Sequence, residues 1–135
     1  MIQRLSLSED LYPIEAFFNV LTDEKLLKAL SSFSEGRGYN PEDKTCDFPA
    51  DLAEDEGGPE GRFDYIEVWT YANNQEVRVP FLDFSKYILS AVDAQILLDS
   101  NNKAMWEEAA AKAVAALKNI ERNHVNYEMR RLNKL

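Results

Sequence analysis

The strongest constraint on the fold is a β-hairpin. Residues 62–71 read RFDYIEVWTY and residues 76–81 read EVRVPF, two runs rich in aromatic and β-branched side chains separated by ANNQ. That pattern predicts two antiparallel strands with Asn73-Asn74 in the tight turn, where asparagine tolerates positive φ. With those two residues as the loop, Ile66 faces Phe81, Val68 faces Val79 and Thr70 faces Val77 on an apolar side. The other side pairs Trp69 with Arg78 and Tyr71 with Glu76, with Tyr65 and Glu67 alongside. One face is ordinary core, and the second is aromatic and charged.

Helical periodicity brackets the hairpin. From Pro13 to Glu35, the residues Ile14, Phe17, Phe18, Leu21, Leu26, Leu27, Leu30 and Phe33 lie close to helical spacing, and Gly36 or Gly38 supplies a stop. Thr22-Asp23-Glu24 has the form of an N-cap followed by first-turn acids, so the segment is expected as one helix or as a pair with a break. After Pro80, Asp83 or Ser85 is the expected cap of a helix carrying Phe84, Tyr87, Ile88, Val92, Ile96 and Leu97, ending near Asp99. A further helix starts after Asn102. Its stripe, Trp106, Ala110, Ala113, Leu117, Ile120 and His124, is flanked by alanines that allow a close approach to a neighbour. The order α, β, β, α, α predicts an α+β fold: a single domain over residues 1–135 with a central antiparallel hairpin or small sheet and two C-terminal helices.

Charge is concentrated in one place. Between Glu42 and Glu60 stand eight carboxylates and one lysine, a balance of −7 within a formal −9 for the chain. Pro49, Pro59 and Gly57-Gly58 interrupt this stretch, which is expected to be an acidic loop spanning about 39–61. A concentrated negative patch repels nucleic acid and anionic membrane and favours a basic protein as partner. The cationic tail, with Lys118, Arg122, Arg130, Arg131 and Lys134, is read as dipole-complementing charge on a terminal helix.

Catalytic chemistry finds little support. His124, the one histidine, stands at the end of a helical stripe with no sequence-linked nucleophile, and Cys46 lies among acids that raise a thiol's pKa. Glu54, Asp55 and Glu56 adjoin two glycines with nothing to fix their separation, which carboxylate-pair catalysis requires. Counted from Asp47 or from Asp51, the sixth position is Leu52 or Glu56 where a calcium loop needs glycine. No phosphate-binding glycine loop and no Cys/His cluster occurs. The chain is therefore expected to be a non-enzyme without cofactor or metal. The lone cysteine, the absence of a basic-then-apolar leader and the lack of any long apolar run predict a cytoplasmic protein that touches no membrane, with a monomer as the default.

An N-terminal helix, the RFDYIEVWTY…EVRVPF hairpin and then LDFSKYILSAV opening a helix, in a short acidic chain, resembles the small immunity proteins of bacterial contact-dependent growth-inhibition (polymorphic) toxin systems. The closest likeness is to those that guard against ribonuclease toxins. The resemblance implies a dedicated inhibitor of one toxin domain, probing no nucleic acid itself and covering the substrate surface of a basic nuclease. It supplies no interface motif. The candidate partner-binding residues follow from charge and pattern: Asp51, Glu54, Asp55, Glu56 and Glu60 for pairing with cations, and Tyr65, Glu67, Trp69 and Tyr71 as an ordered platform. The alternative is an adaptor or regulatory subunit of phage or plasmid origin that binds through helix faces.

Overall fold

The structure, a computed structural model, describes residues 2–134. Its helices are α1 (Tyr12–Val20), α2 (Asp23–Ser34), α3 (Pro49–Glu56), α4 (Phe81–Leu98) and α5 (Lys103–Asn133), and its strands are β1 (Lys44–Asp47), β2 (Ile66–Thr70) and β3 (Gln75–Val79). The strands form one antiparallel sheet in the order β1-β2-β3. One sheet face, with Cys46, Ile66, Val68 and Val79, is buried together with α1, which touches all three strands. The small α+β layout expected from the hairpin and its flanking helices is the one observed.

The expected break near Thr22 is real. Helix α1 ends where Leu21 turns extended, and the Lys25 N–H donates to the Thr22 hydroxyl at 3.2 Å to open α2. In α5 the predicted stripe buries Trp106, Ala110, Ala113 and Leu117, with Ile120 and His124 half-buried beyond them, and the helix packs on both α2 and α4. Helix α4 is capped differently from expectation. Pro80 is its N-cap and Phe81 its first residue, so neither Asp83 nor Ser85 serves, because Phe81 and Phe84 enter the core only if the helix starts at once.

Two further expectations are corrected. The hairpin register is shifted by two residues: Ile66 pairs with Val79, Val68 with Val77, Trp69 with Glu76 and Thr70 with Gln75. The connection is thus four residues, 71–74, in which only Asn74 takes positive φ while Asn73 hydrogen-bonds the Thr70 hydroxyl. A shift of two preserves which face each side chain occupies, so the sidedness holds although the partners change.

The acidic stretch is also no simple loop, since it contains β1 and α3. Pro49 sits in the first helical turn, where it initiates. Gly57, at φ 80°, then ends α3 with its N–H donating to the Ala53 carbonyl. The Asp51 carboxylate accepts the Phe48 N–H and the Gly38 N–H, each at 2.8 Å. Phe48 itself is fully buried, stacked on Phe33 with ring centroids 5.0 Å apart. Gly38 is required by space, because a Cβ there would fall 1.7 Å from the Cys46 carbonyl oxygen.

A buried guanidinium holds the N-terminal segment to the helices. Arg4 donates to the carbonyls of Phe18 (2.8 Å) and Leu21 (2.6 Å), to Gln95 Oε1 (2.9 Å) and to Asp23 Oδ1 (3.3 Å). It caps the α1 terminus, reaches the start of α2 and fastens both to α4. Removing it leaves several buried acceptors unpaired. Arg4→Met is expected to cost about 3 kcal/mol in urea denaturation, with Arg4→Lys recovering little because an ammonium cannot span those four acceptors. A loss below about 1 kcal/mol would show that water replaces the guanidinium.

Candidate acidic and aromatic interface

Alternation along the strands decides which side chains reach the face opposite α1. On β1 these are Thr45 and Asp47, on β2 Glu67 and Trp69, and on β3 Glu76 and Arg78, with Thr45 paired to Trp69 and Asp47 to Glu67. All six are half-buried or exposed, whereas their neighbours Cys46, Val68 and Val79 are buried. Tyr65 and Tyr71 extend the aromatic row at either end of β2. The Trp69 and Tyr71 rings lie 4.2 Å apart, and Trp69 Nε1 donates to Asn74 Oδ1 at 3.2 Å, which fixes the indole without covering it. The Arg78 guanidinium lies 4.6 Å from the centre of the Tyr65 ring.

Electrostatically this face is strained. Arg78 Nε stands 3.9 Å from both Glu67 and Glu76, too far for a good hydrogen bond to either. Burial pushes the Glu67 carboxyl up to about 7, helped by a hydrogen bond to Glu76 and by its charge and that of Asp47, with Arg78 pulling the other way. Burial likewise raises Asp47 to about 6, with the charges of Asp51 and Asp55 adding to it. Burial also raises the Tyr65 hydroxyl, with Glu56 among the nearby acids that contribute. Asp55, near the C-terminal end of α3, is thus within electrostatic reach of Asp47, and Glu56 of Tyr65.

The nine residues singled out from sequence thus fall into separate groups. Tyr65, Glu67, Trp69 and Tyr71 come together on the outer sheet face, with Asp55 within electrostatic reach of Asp47 and Glu56 of Tyr65. Asp51 and Glu54 turn to Arg37, at 3.1 and 2.6 Å, and Asp51 is further occupied by the Phe48 and Gly38 amides. Glu60 lies on the α5 side, lining a groove of about 590 Å³ with Arg37, Lys112 and Asn123. Asp47 was missing from the sequence-derived set. Its place on the face depends on β1 pairing with β2, which no local pattern announces.

Other chemistry is accounted for structurally. His124 Nδ1 is 2.7 Å from the Gly61 carbonyl, and the thiol of buried Cys46 is pushed well up by desolvation. Among the described residues, no group of three or more His, Cys, Asp and Glu side chains gathers in a way that could hold a metal, and no helix is long and apolar enough to cross a membrane.

A family model described as "CDI immunity protein" matches residues 10–109, about three-quarters of the chain. Neither a curated protein nor a solved structure matches it.

The strain on the outer face has a measurable sign. Asp47 and Glu67 titrate from ordinary values of 3.8 and 4.5 when unfolded, and near 6 and 7 when folded. The folded chain holds more protons within that window, so the contribution of these groups to stability falls as pH rises through it. Glu67→Gln is expected to melt above the parent at pH 8, with the difference shrinking as pH drops toward 4.5, the carboxyl's unfolded value. A difference that stays constant across the window would show that Glu67 carries no such strain.

Proposed function

This chain belongs to the CDI immunity protein family, and from that premise we propose that it neutralises a basic toxin domain with nuclease activity by laying its outer sheet face over the toxin's substrate-binding surface. The observation that carries this reading is that Asp47, Glu67 and Glu76 share one sheet face with Tyr65, Trp69 and Tyr71, with Arg78 between Glu67 and Glu76 and with Asp55 and Glu56 acting on Asp47 and Tyr65. A nuclease must hold a polyanion, so its cleft presents lysine and arginine. Carboxylates on a rigid sheet can meet those cations where phosphates would lie, and the aromatic rings supply dehydrated contact area. Asp51 and Glu54, engaged by Arg37, and Glu60, on the α5 side, add negative potential at longer range. The chain acts by binding, as a cytoplasmic monomer without cofactor.

Two kinds of substitution separate the roles. Neutralising Asp55 and Glu56 together is expected to slow association about tenfold at low ionic strength and to flatten its salt dependence. Trp69→Ala is expected to leave association nearly unchanged and to speed dissociation by about tenfold or more, as loss of a central aromatic contact does. The partner is obtained by capture on the tagged chain in its native host at low salt and elution with a salt ramp. A basic protein whose toxicity is suppressed by this chain supports the reading. Elution of RNA instead, or rates indifferent to both substitutions, rejects it.

A further inference from the structure

The two edges of the sheet are finished differently. Along β1 the outward backbone groups of Cys46 are both answered: the Tyr39 N–H donates to its carbonyl at 3.0 Å, and its N–H donates to Asn40 Oδ1 at 3.1 Å. The chain lying over that edge passes so closely that only Gly38 fits. The β3 edge has no such cover. Pairing of Cys46 outward requires Glu67 and Trp69 to bond toward β1, so Ile66, Val68 and Thr70 bond toward β3. Their partners Val79, Val77 and Gln75 are thereby used, and the N–H and C=O groups of Glu76 and Arg78 point away from the sheet. Among the described residues no hydrogen bond answers these four groups.

The surroundings of this edge are open and chemically biased. Glu76 and Arg78 are exposed and Val77 is half-buried. Near the turn end of β3 lies a cleft of about 530 Å³ lined by Glu9, Asp10, Tyr12, Asn73 and Gln75. A fourth strand laid along β3 would run from this cleft along the edge. On the outer face the side chains of such a strand would lie beside Glu76 and Arg78, and those between would lie beside Val77 on the other side.

We propose that the toxin adds an extended segment to the sheet by pairing with β3, placing a lysine or arginine beside Glu76 and an apolar residue against Val77. This deepens the immunity reading and rests on it. Main-chain pairing supplies the register, and Glu76 supplies the selection for a cation at that position.

The test uses the full chain in complex with its cognate toxin domain. Amide hydrogen exchange, resolved by residue, is compared between the free chain and the complex. The amides of Glu76 and Arg78 exchange freely in the unbound protein and are expected to slow by at least tenfold in the complex. Glu76→Pro removes one outward N–H that the β2–β3 ladder does not use, whereas Glu76→Ala removes only the side chain. The proline variant is expected to bind at least tenfold more weakly than the alanine variant. Should it fail to fold, a backbone ester at the same N–H provides the same comparison. A complex in which both amides exchange as in the free chain, with equal binding by the two variants, overturns strand addition and leaves the face-on reading standing. No complex at all overturns both.

Discussion

The placement of the acidic stretch depends on the burial of one ring. Phe48 lies between β1 and α3 and is fully enclosed, stacked on Phe33 and edge-on to Phe84 at 5.9 Å. Burying a phenylalanine contributes on the order of 2–3 kcal/mol. An eight-residue helix, half of it acidic, would not form alone, since helix nucleation outweighs the few hydrogen bonds that it closes. With Phe48 and Leu52 held in the interior, α3 needs only its ends finished. Asp51 completes one end through two backbone amides, and Gly57 completes the other. The same anchoring delivers β1 to the sheet, so the negative charge is carried on a defined surface.

That surface divides the charge into two kinds. Asp51 and Glu54 are answered by Arg37 and are largely exposed or spent on capping, which makes them minor contributors to local strain. Asp47, Glu67 and Glu76 face one another across neighbouring strands with one distant guanidinium between two of them. Beyond about 10 Å in ordinary salt, any of these acids acts only through a screened field. At contact, the half-buried group can form charge-assisted hydrogen bonds that exposed acids form only weakly. Under the proposed function, steering and holding therefore fall to different acids.

Much of this arrangement was legible in the chain. Period-2 alternation fixed the sidedness of β2 and β3, and the error in register left it intact because the error was an even number of residues. Thr22 marked the helix break through the chemistry of its hydroxyl, and the alanine stripe marked the tight packing of α5. The sequence did not disclose β1, whose four residues carry no repeating pattern and are recruited by the edge of β2. Nor did it disclose α3, because Pro49 and Gly57 punctuate equally well as breakers or as the first turn and the end of a helix. Only the buried contacts of Phe48 decide between those meanings, and they are made with residues distant in sequence.

The outer face has a feature that folding itself does not require. Like charges repel, so placing Glu67 beside Glu76 and opposite Asp47 opposes the native state when these groups are ionised. Burial raises the Glu67 carboxyl, the hydrogen bond and charge of Glu76 raise it further, and protonation of Glu67 relieves part of that repulsion. An arriving cation relieves the same repulsion without the proton. Groups that resist ionisation in the free protein and are stabilised as anions by a partner release protons on binding, so under the proposed function the strain becomes selectivity for positive charge. Neutral or anionic ligands gain nothing from this conversion. Under the proposed function, the strained carboxylates, more than the net charge of the chain, let this face discriminate among partners.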